Sequence, residues 1–141
     1  MKKRIIITGG NGQDGIILSK LLLKKKYIIY FFVKKKNFIK IPGVKYLYDN
    51  LSNYHLIDKI IKEIKPFAII HLAAKNISTV NIKTMKHNFF YKKNLLITKN
   101  LIDSIIKNDK KIKFIFAGSS LMFKKTKGVV NENSKFKANC Y

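Results

Sequence analysis

Cysteine is almost missing. Cys140 is the only one in 141 residues, which excludes an internal disulfide and any metal site built from paired thiolates. Tryptophan is absent and prolines number two, so no Pro-rich linker divides the chain. No apolar run approaches the roughly twenty residues of a membrane span. The apolar stretch behind the charged opening stops at Ile7, well short of a secretory signal's core. The expected setting is the cytoplasm, with no membrane partner. Acidic residues are also scarce: 7 Asp and Glu stand against 30 Lys and Arg, a formal net charge of +23.

That charge raises nucleic acid as a partner. Arginine, however, is represented by Arg4 alone, and readout of base edges and bidentate phosphate clamping favour arginine. The lysines fall in short separate runs, Lys24–Lys26, Lys34–Lys36, Lys110–Lys111 and Lys124–Lys125, with no single stripe. Lysine, isoleucine and asparagine are abundant together, as an AT-rich coding sequence would make them. The charge therefore reads as a solvated surface, and no specific nucleic-acid partner is expected. A basic nucleic-acid binder remains the weaker alternative.

Hydrophobic residues make up 47% of the chain, enough for a real core. Arg4–Thr8 is a β-branched run ending at glycines and reads as a buried parallel strand. Ile17, Leu18, Leu21 and Leu22 recur at helical spacing within a helix predicted from Gln13 to Lys26. Strands are predicted at Tyr27–Val33, Val44–Tyr48, Phe67–His71 and Lys113–Ala117. A helix capped by Asn53 carries Leu56, Ile57, Ile60, Ile61 and Ile64 on one face and is closed by Pro66. A longer helix, from Thr84 or Asn88 to Asn108, turns Leu95, Leu101, Ile102 and Ile105 inward. Strands alternating with helices imply α/β architecture with a parallel sheet and right-handed crossovers. The ten residues 34–43 are short for such a crossover. Either a helix is reduced to a turn there or the third strand is misplaced.

The chemistry lies in the first turn. Thr8, Gly9, Gly12 and Gly15 sit between the first strand and its helix. Gly9 permits a backbone conformation that a side chain would block. Gly12 lets the backbone approach a ligand, and Gly15 lets the helix pack near the strand. Free N–H groups at the helix start, with Gln13 and Asp14 in its first turn, then suit a pyrophosphate. A glycine triplet is a weak sign alone, but it has the strand-before, helix-after context that dinucleotide binding requires.

With these residues in view, Thr8-Gly9-x-x-Gly12-x-x-Gly15 resembles the fingerprint of extended short-chain dehydrogenases/reductases, the NAD-dependent epimerase/dehydratase family. Gly12-Gln13-Asp14-Gly15 is similar to GDP-mannose 4,6-dehydratases in particular. His71-Leu72-Ala73-Ala74 resembles the family segment that lines the cofactor after strand four. Asn94–Leu101 is similar to its NxxGTxNL helix. Phe116–Ser120 followed by Phe123 resembles its FxSSSxxxY strand end, and Glu132–Phe136 its ExTPF stretch. The resemblance implies a Rossmann-type doubly wound sheet of about five strands. It also implies hydride transfer on a nucleotide-sugar substrate through a 4-keto-sugar intermediate.

Carried over residue by residue, the cofactor site would comprise Thr8, Gly9, Gly12, Gln13, Asp14, Gly15, Lys34, Lys35, Asn50, Leu51, Leu72, Ala73 and Ala74. The second strand leads into Lys34–Lys36 with no acid for a ribose 2′-OH, so NADP is expected ahead of NAD. Asn50, beside Asp49, would stand where the family sets an aspartate against adenine. Ser119 matches the Ser or Thr that bonds the reacting oxygen. Tyr141 would be the catalytic tyrosine only if the register slipped by one.

Two departures stand out. Leu121 replaces the dehydratase glutamate and cannot transfer a proton, which favours an epimerase or reductase. His71 and His87 are replacement acids only in principle, a strand-end histidine being more often structural. The YxxxK motif and the C-terminal substrate domain are missing. Residues 1–141 thus read as the nucleotide-binding part of such an enzyme, ending before its tyrosine and inactive alone. The last strand is expected to leave an apolar edge open to self-association. A dinucleotide-binding module without chemistry, or a truncated remnant, is the alternative.

Overall fold

The computed structural model describes residues 2–33, 40–48, 50–74, 87–118, 122–123 and 129–136. Its elements are β1 (Arg4–Thr8), α1 (Gln13–Lys24), β2 (Ile28–Val33), β3 (Val44–Tyr48), α2 (Tyr54–Ile64), β4 (Ala68–His71), α3 (His87–Asn108) and β5 (Lys113–Phe116). The strands form one five-stranded sheet in the order β3-β2-β1-β4-β5. Every pairing is parallel, with Ile7 opposite Phe31 and Ile70, Phe32 opposite Leu47, and Ile70 opposite Ile115. The third strand is therefore where the sequence puts it. Residues 34–39 of the short crossover lie outside the described residues.

Alternation across the pleat builds two cores. Ile6, Phe32 and Ile69 point to one face, where they pack with Ile57, Ile61 and Ile64 of α2 and Leu101 and Ile105 of α3. Ile5, Ile7, Ile29, Phe31 and Ile70 point to the other, against Leu18, Leu22 and Leu23 of α1. Both faces are covered, which explains why β1 and β2 read as unbroken apolar runs.

Helix α2 starts and stops as its sequence suggests. The Asn53 side chain accepts the Leu56 N–H at 3.3 Å. At the other end Lys65 takes a left-handed conformation, φ 48°, ahead of Pro66. Arg4 donates from Nη1 to the Ile64 carbonyl at 2.7 Å, so the lone arginine caps the C-terminal, negative end of this helix.

The buried faces of α1 and α3 differ from the sequence reading. Ile17 and Leu21 are each 54% exposed, and Leu95 is 70% exposed, with Ile102 also open. On α1 the inward stripe is Gly15, Leu18, Ser19 and Leu22. On α3 it is Ile97, Asn100, Leu101, Ser104, Ile105 and Asn108. Small and polar residues complete both stripes, so apolar spacing alone selects the wrong neighbours. On α3 the polar members are bonded. Asn100 Nδ2 donates to the Leu51 and Ser52 carbonyls at 3.4 and 3.1 Å. Asp58 of α2 accepts from Lys107 and Asn108 at 2.6 Å each and from Ser104 at 3.3 Å. These bonds, led by the Lys107 ammonium, hold the Asp58 carboxyl below its ordinary value.

At one margin of the sheet, β5 pairs with β4 alone among the described residues. Ile115 and Phe116 there are 52% and 51% exposed, so among the described residues this margin of the sheet is apolar and open. No helix among the described residues is long and apolar enough to cross a membrane.

Candidate functional site

Strand order reverses between β1 and β4, whose neighbours run away in opposite directions along the chain. In open parallel sheets a crevice forms at that point, beyond the carboxyl ends of the strands. Thr8 and His71 are the last residues of those two strands and face each other in register.

Thr8 ties the two strand ends together. Its carbonyl accepts the Leu72 N–H at 3.1 Å, and its Oγ1 accepts the Ala73 N–H at 3.2 Å. Gly9 follows at φ 70°, and a Cβ there would lie 2.8 Å from the Ala73 nitrogen. Both conformation and contact demand glycine. The Gly12 N–H closes the turn on the Gly9 carbonyl at 2.9 Å, and the Gly12 carbonyl accepts Ile16 N–H at 3.0 Å to begin α1. Gly15 is buried against Gly10, whose Cα lies 2.5 Å from where a Gly15 Cβ would sit. Gly10 in turn lies on the Phe31 ring, leaving no room for a Cβ of its own. Gly10 was missed by the three-residue spacing; the doubled glycine at 9 and 10 was its signal.

Gly12 is unlike the others. Its backbone is extended, φ −78° and ψ 168°, which any residue adopts. A Cβ would meet only the Gly9 carbonyl, at 3.2 Å. Among the described residues nothing else fills the space beside Gly12, and no side chain caps the start of α1. Gln13 and Asp14 are exposed at the same spot. The helix start thus presents its first-turn N–H groups to the crevice, a cradle of the right chemistry for a pyrophosphate.

The remaining candidates separate into two groups. Leu72 and Ala73 are half-buried opposite the glycine turn, and Ala74 is exposed beyond them. Asn50 and Leu51 follow β3 at the same end of the sheet. Asn50 Oδ1 accepts the Ser52 N–H at 3.1 Å, and Leu51 packs on the α2–α3 core, where Asn100 holds its carbonyl. Lys34, Lys35, Ser119 and Tyr141 lie outside the described residues, as do Asp49 and Leu121. Among the described residues no cluster of His, Cys, Asp and Glu forms a metal site.

Beneath the crevice sits His71, 2% exposed. Its Nδ1 is 2.6 Å from Thr8 Oγ1 and its Nε2 3.1 Å from Thr98 Oγ1 on α3. Burial pushes its pKa below the ordinary histidine value. A group so enclosed has no route to a substrate, so the strand-end histidine is structural here.

A parallel sheet with helices on both faces, and a glycine-lined turn into an uncapped helix at its switch point, defines a Rossmann-type domain. Residues 6–141 match the protein family described as GDP-mannose 4,6 dehydratase, and the chain belongs to that family. It is 28% identical over 134 residues to a UDP-glucose 4-epimerase of Mycoplasma genitalium, covering 89% of this chain and 38% of that protein. Among solved structures, the UDP-Glc/GlcNAc 4-epimerase of Campylobacter jejuni superposes with a TM-score of 0.80 at 24% identity, over 96% of this chain and 43% of that one. The dTDP-glucose 4,6-dehydratase of Bacillus anthracis, solved in complex with NAD, does so at 0.74 and 21%, over 98% and 45%. The chain spans less than half the length of these relatives.

Proposed function

We propose that residues 1–141 are the nicotinamide-dinucleotide-binding part of an epimerase or dehydratase that acts on a nucleotide sugar. The observation that carries this reading is the space beside Gly12, open among the described residues, at the uncapped start of α1 and at the sheet's switch point. Gly9, Gly12 and the first-turn amides of Gln13, Asp14 and Gly15 would hold the pyrophosphate. Leu72, Ala73 and Ala74 would line the opposite wall, and Asn50 and Leu51 the adenine end. When bound, the nicotinamide supplies the hydride acceptor for oxidation of a sugar hydroxyl to a 4-keto group.

Lys34 and Lys35 favour a 2′-phosphate and hence NADP ahead of NAD. Relatives solved with NAD favour the dinucleotide in general without ranking the two. Ser119 is the proposed hydrogen-bond donor to the reacting sugar oxygen, with Tyr141 as base only on a shifted register. Leu121, unable to move a proton, favours epimerase or reductase chemistry over elimination of water. The 141-residue chain alone is proposed to bind cofactor, to turn over no nucleotide sugar, and to self-associate through its β5 edge.

Calorimetry of the purified chain with NADP and NAD tests this reading. Binding of either supports it, and tighter binding of NADP supports the ribose assignment. Failure of both to bind overturns the reading, and equal affinity removes the preference for NADP. On the same sample, hydride transfer with a nucleotide sugar would refute the inactivity, and a monodisperse monomer in light scattering would refute the self-association.

A further inference from the structure

We propose that His71 is a positioning residue: as the neutral tautomer carrying its hydrogen on Nε2, it locks the ends of β1 and β4 to α3 beneath the crevice, so that protonating it weakens dinucleotide binding. The binding part of this proposal rests on the dinucleotide reading above.

Hydroxyl bookkeeping fixes the tautomer. A threonine hydroxyl has one hydrogen to give. Thr98 gives its own to the Asn94 carbonyl at 3.0 Å. Its oxygen therefore accepts from His71 Nε2 at 3.1 Å, and Nε2 carries the ring hydrogen. Nδ1 of the neutral ring is then a bare acceptor and takes the Thr8 hydroxyl hydrogen at 2.6 Å. The Thr8 oxygen remains able to accept, and it receives the Ala73 N–H at 3.2 Å. An unbroken file of donors runs from the Ala73 amide through Thr8, His71 and Thr98 to a carbonyl of α3. Chains ordered in one direction polarise and strengthen each member.

Either other state of the ring breaks the file. The opposite tautomer sets the lone pairs of Nε2 and Thr98 Oγ1 against each other and leaves the Thr8 hydrogen without Nδ1 as acceptor. The imidazolium turns Nδ1 into a donor, and Thr8 must release its own hydrogen elsewhere. The surroundings favour the neutral ring. From β1 it faces Thr8, from α3 Thr98, and from β5 the rings of Phe114 and Phe116, with centroids 6.2 and 5.6 Å away. None of these contacts is charged, and burial alone lowers its pKa.

The effect reaches the cofactor turn through Thr8. That residue holds both the Leu72 and Ala73 amides, and the next residue, Gly9, abuts Ala73 so closely that a methyl group would not fit. A Thr8 hydroxyl turned away from His71 loosens the wall against which the glycine turn is set.

Two measurements on the 141-residue chain decide the matter. Long-range proton–nitrogen spectra of the imidazole rings at neutral pH should show His71 with hydrogen on Nε2, and Thr98→Val should shift it toward a mixture. Hydrogen on Nδ1 in the native chain overturns the relay. NADP and NAD affinity, followed as pH falls, should drop about three- to tenfold as the His71 ring signals report protonation, the worth of one net hydrogen bond. Thr98→Val should weaken binding within the same range at neutral pH. Affinity indifferent to His71 protonation overturns the positioning role alone. Absence of binding at every pH overturns the dinucleotide reading and the positioning role with it, while the ring spectra still decide whether the relay exists.

Discussion

Helices α1 and α2 both begin beyond the carboxyl end of a parallel strand, and they begin differently. At α2 the Asn53 side chain accepts the Leu56 N–H, so the chain satisfies its own helix start. At α1 the residue in the same place is Gly12, with no side chain to offer. One helix start is capped by its own side chain, and the other has no side-chain cap among the described residues. The contrast separates a self-capped helix terminus from an open one more sharply than the glycine spacing does.

The largest expected effect comes from destroying the open terminus. Gly9→Ala forces a left-handed residue into the Ala73 backbone and should cost about 3 kcal/mol of stability, read from the urea midpoint. An unchanged midpoint would show that the turn is not built as described. Next comes the contrast itself. Asn53→Ala should lose about 1 kcal/mol of stability with dinucleotide affinity unchanged. Gly12→Ala should do the reverse, moving stability by less than about 1 kcal/mol while affinity falls about tenfold through lost amide contacts. Similar behaviour of the two variants in both assays would break the comparison.

The smallest effect concerns pH. Asp58 is held below its ordinary value first by the Lys107 ammonium and then by Asn108. The folded chain therefore takes up that proton less readily than the unfolded one. Its contribution is complete above the usual carboxylate range and is lost as pH falls below about 4. The urea midpoint of the native chain should decline more on acidification than that of Asp58→Asn; parallel declines would remove Asp58 as the cause.

Strand positions were legible because β1, β2 and β4 are apolar on both faces, and α2 because its apolar stripe is complete and capped. The faces of α1 and α3 were not, because burial there is shared with Gly15, Ser19, Asn100 and Ser104. Hydrophobic spacing is blind to residues buried for being small or for having a bonding partner across the interface. Gly9, Gly12 and Gly15 were legible as a group from their spacing, yet each is glycine for a separate reason. The link from His71 to Thr98 was illegible, since 27 residues separate two side chains that only the fold brings together.

Gly15 abuts Gly10 and Gly10 abuts Phe31, and neither glycine can take a Cβ while its neighbour stays as it is. An alanine at position 10 needs a smaller ring at position 31, and one at position 15 needs the whole turn to lift. Mutational drift in this corner is therefore permitted in one order only: the aromatic must shrink before the nearer glycine can change. An alanine at position 10 that would fail against the native ring becomes tolerable once position 31 has shrunk, so Phe31 acts as the gatekeeper of change in a loop it does not belong to.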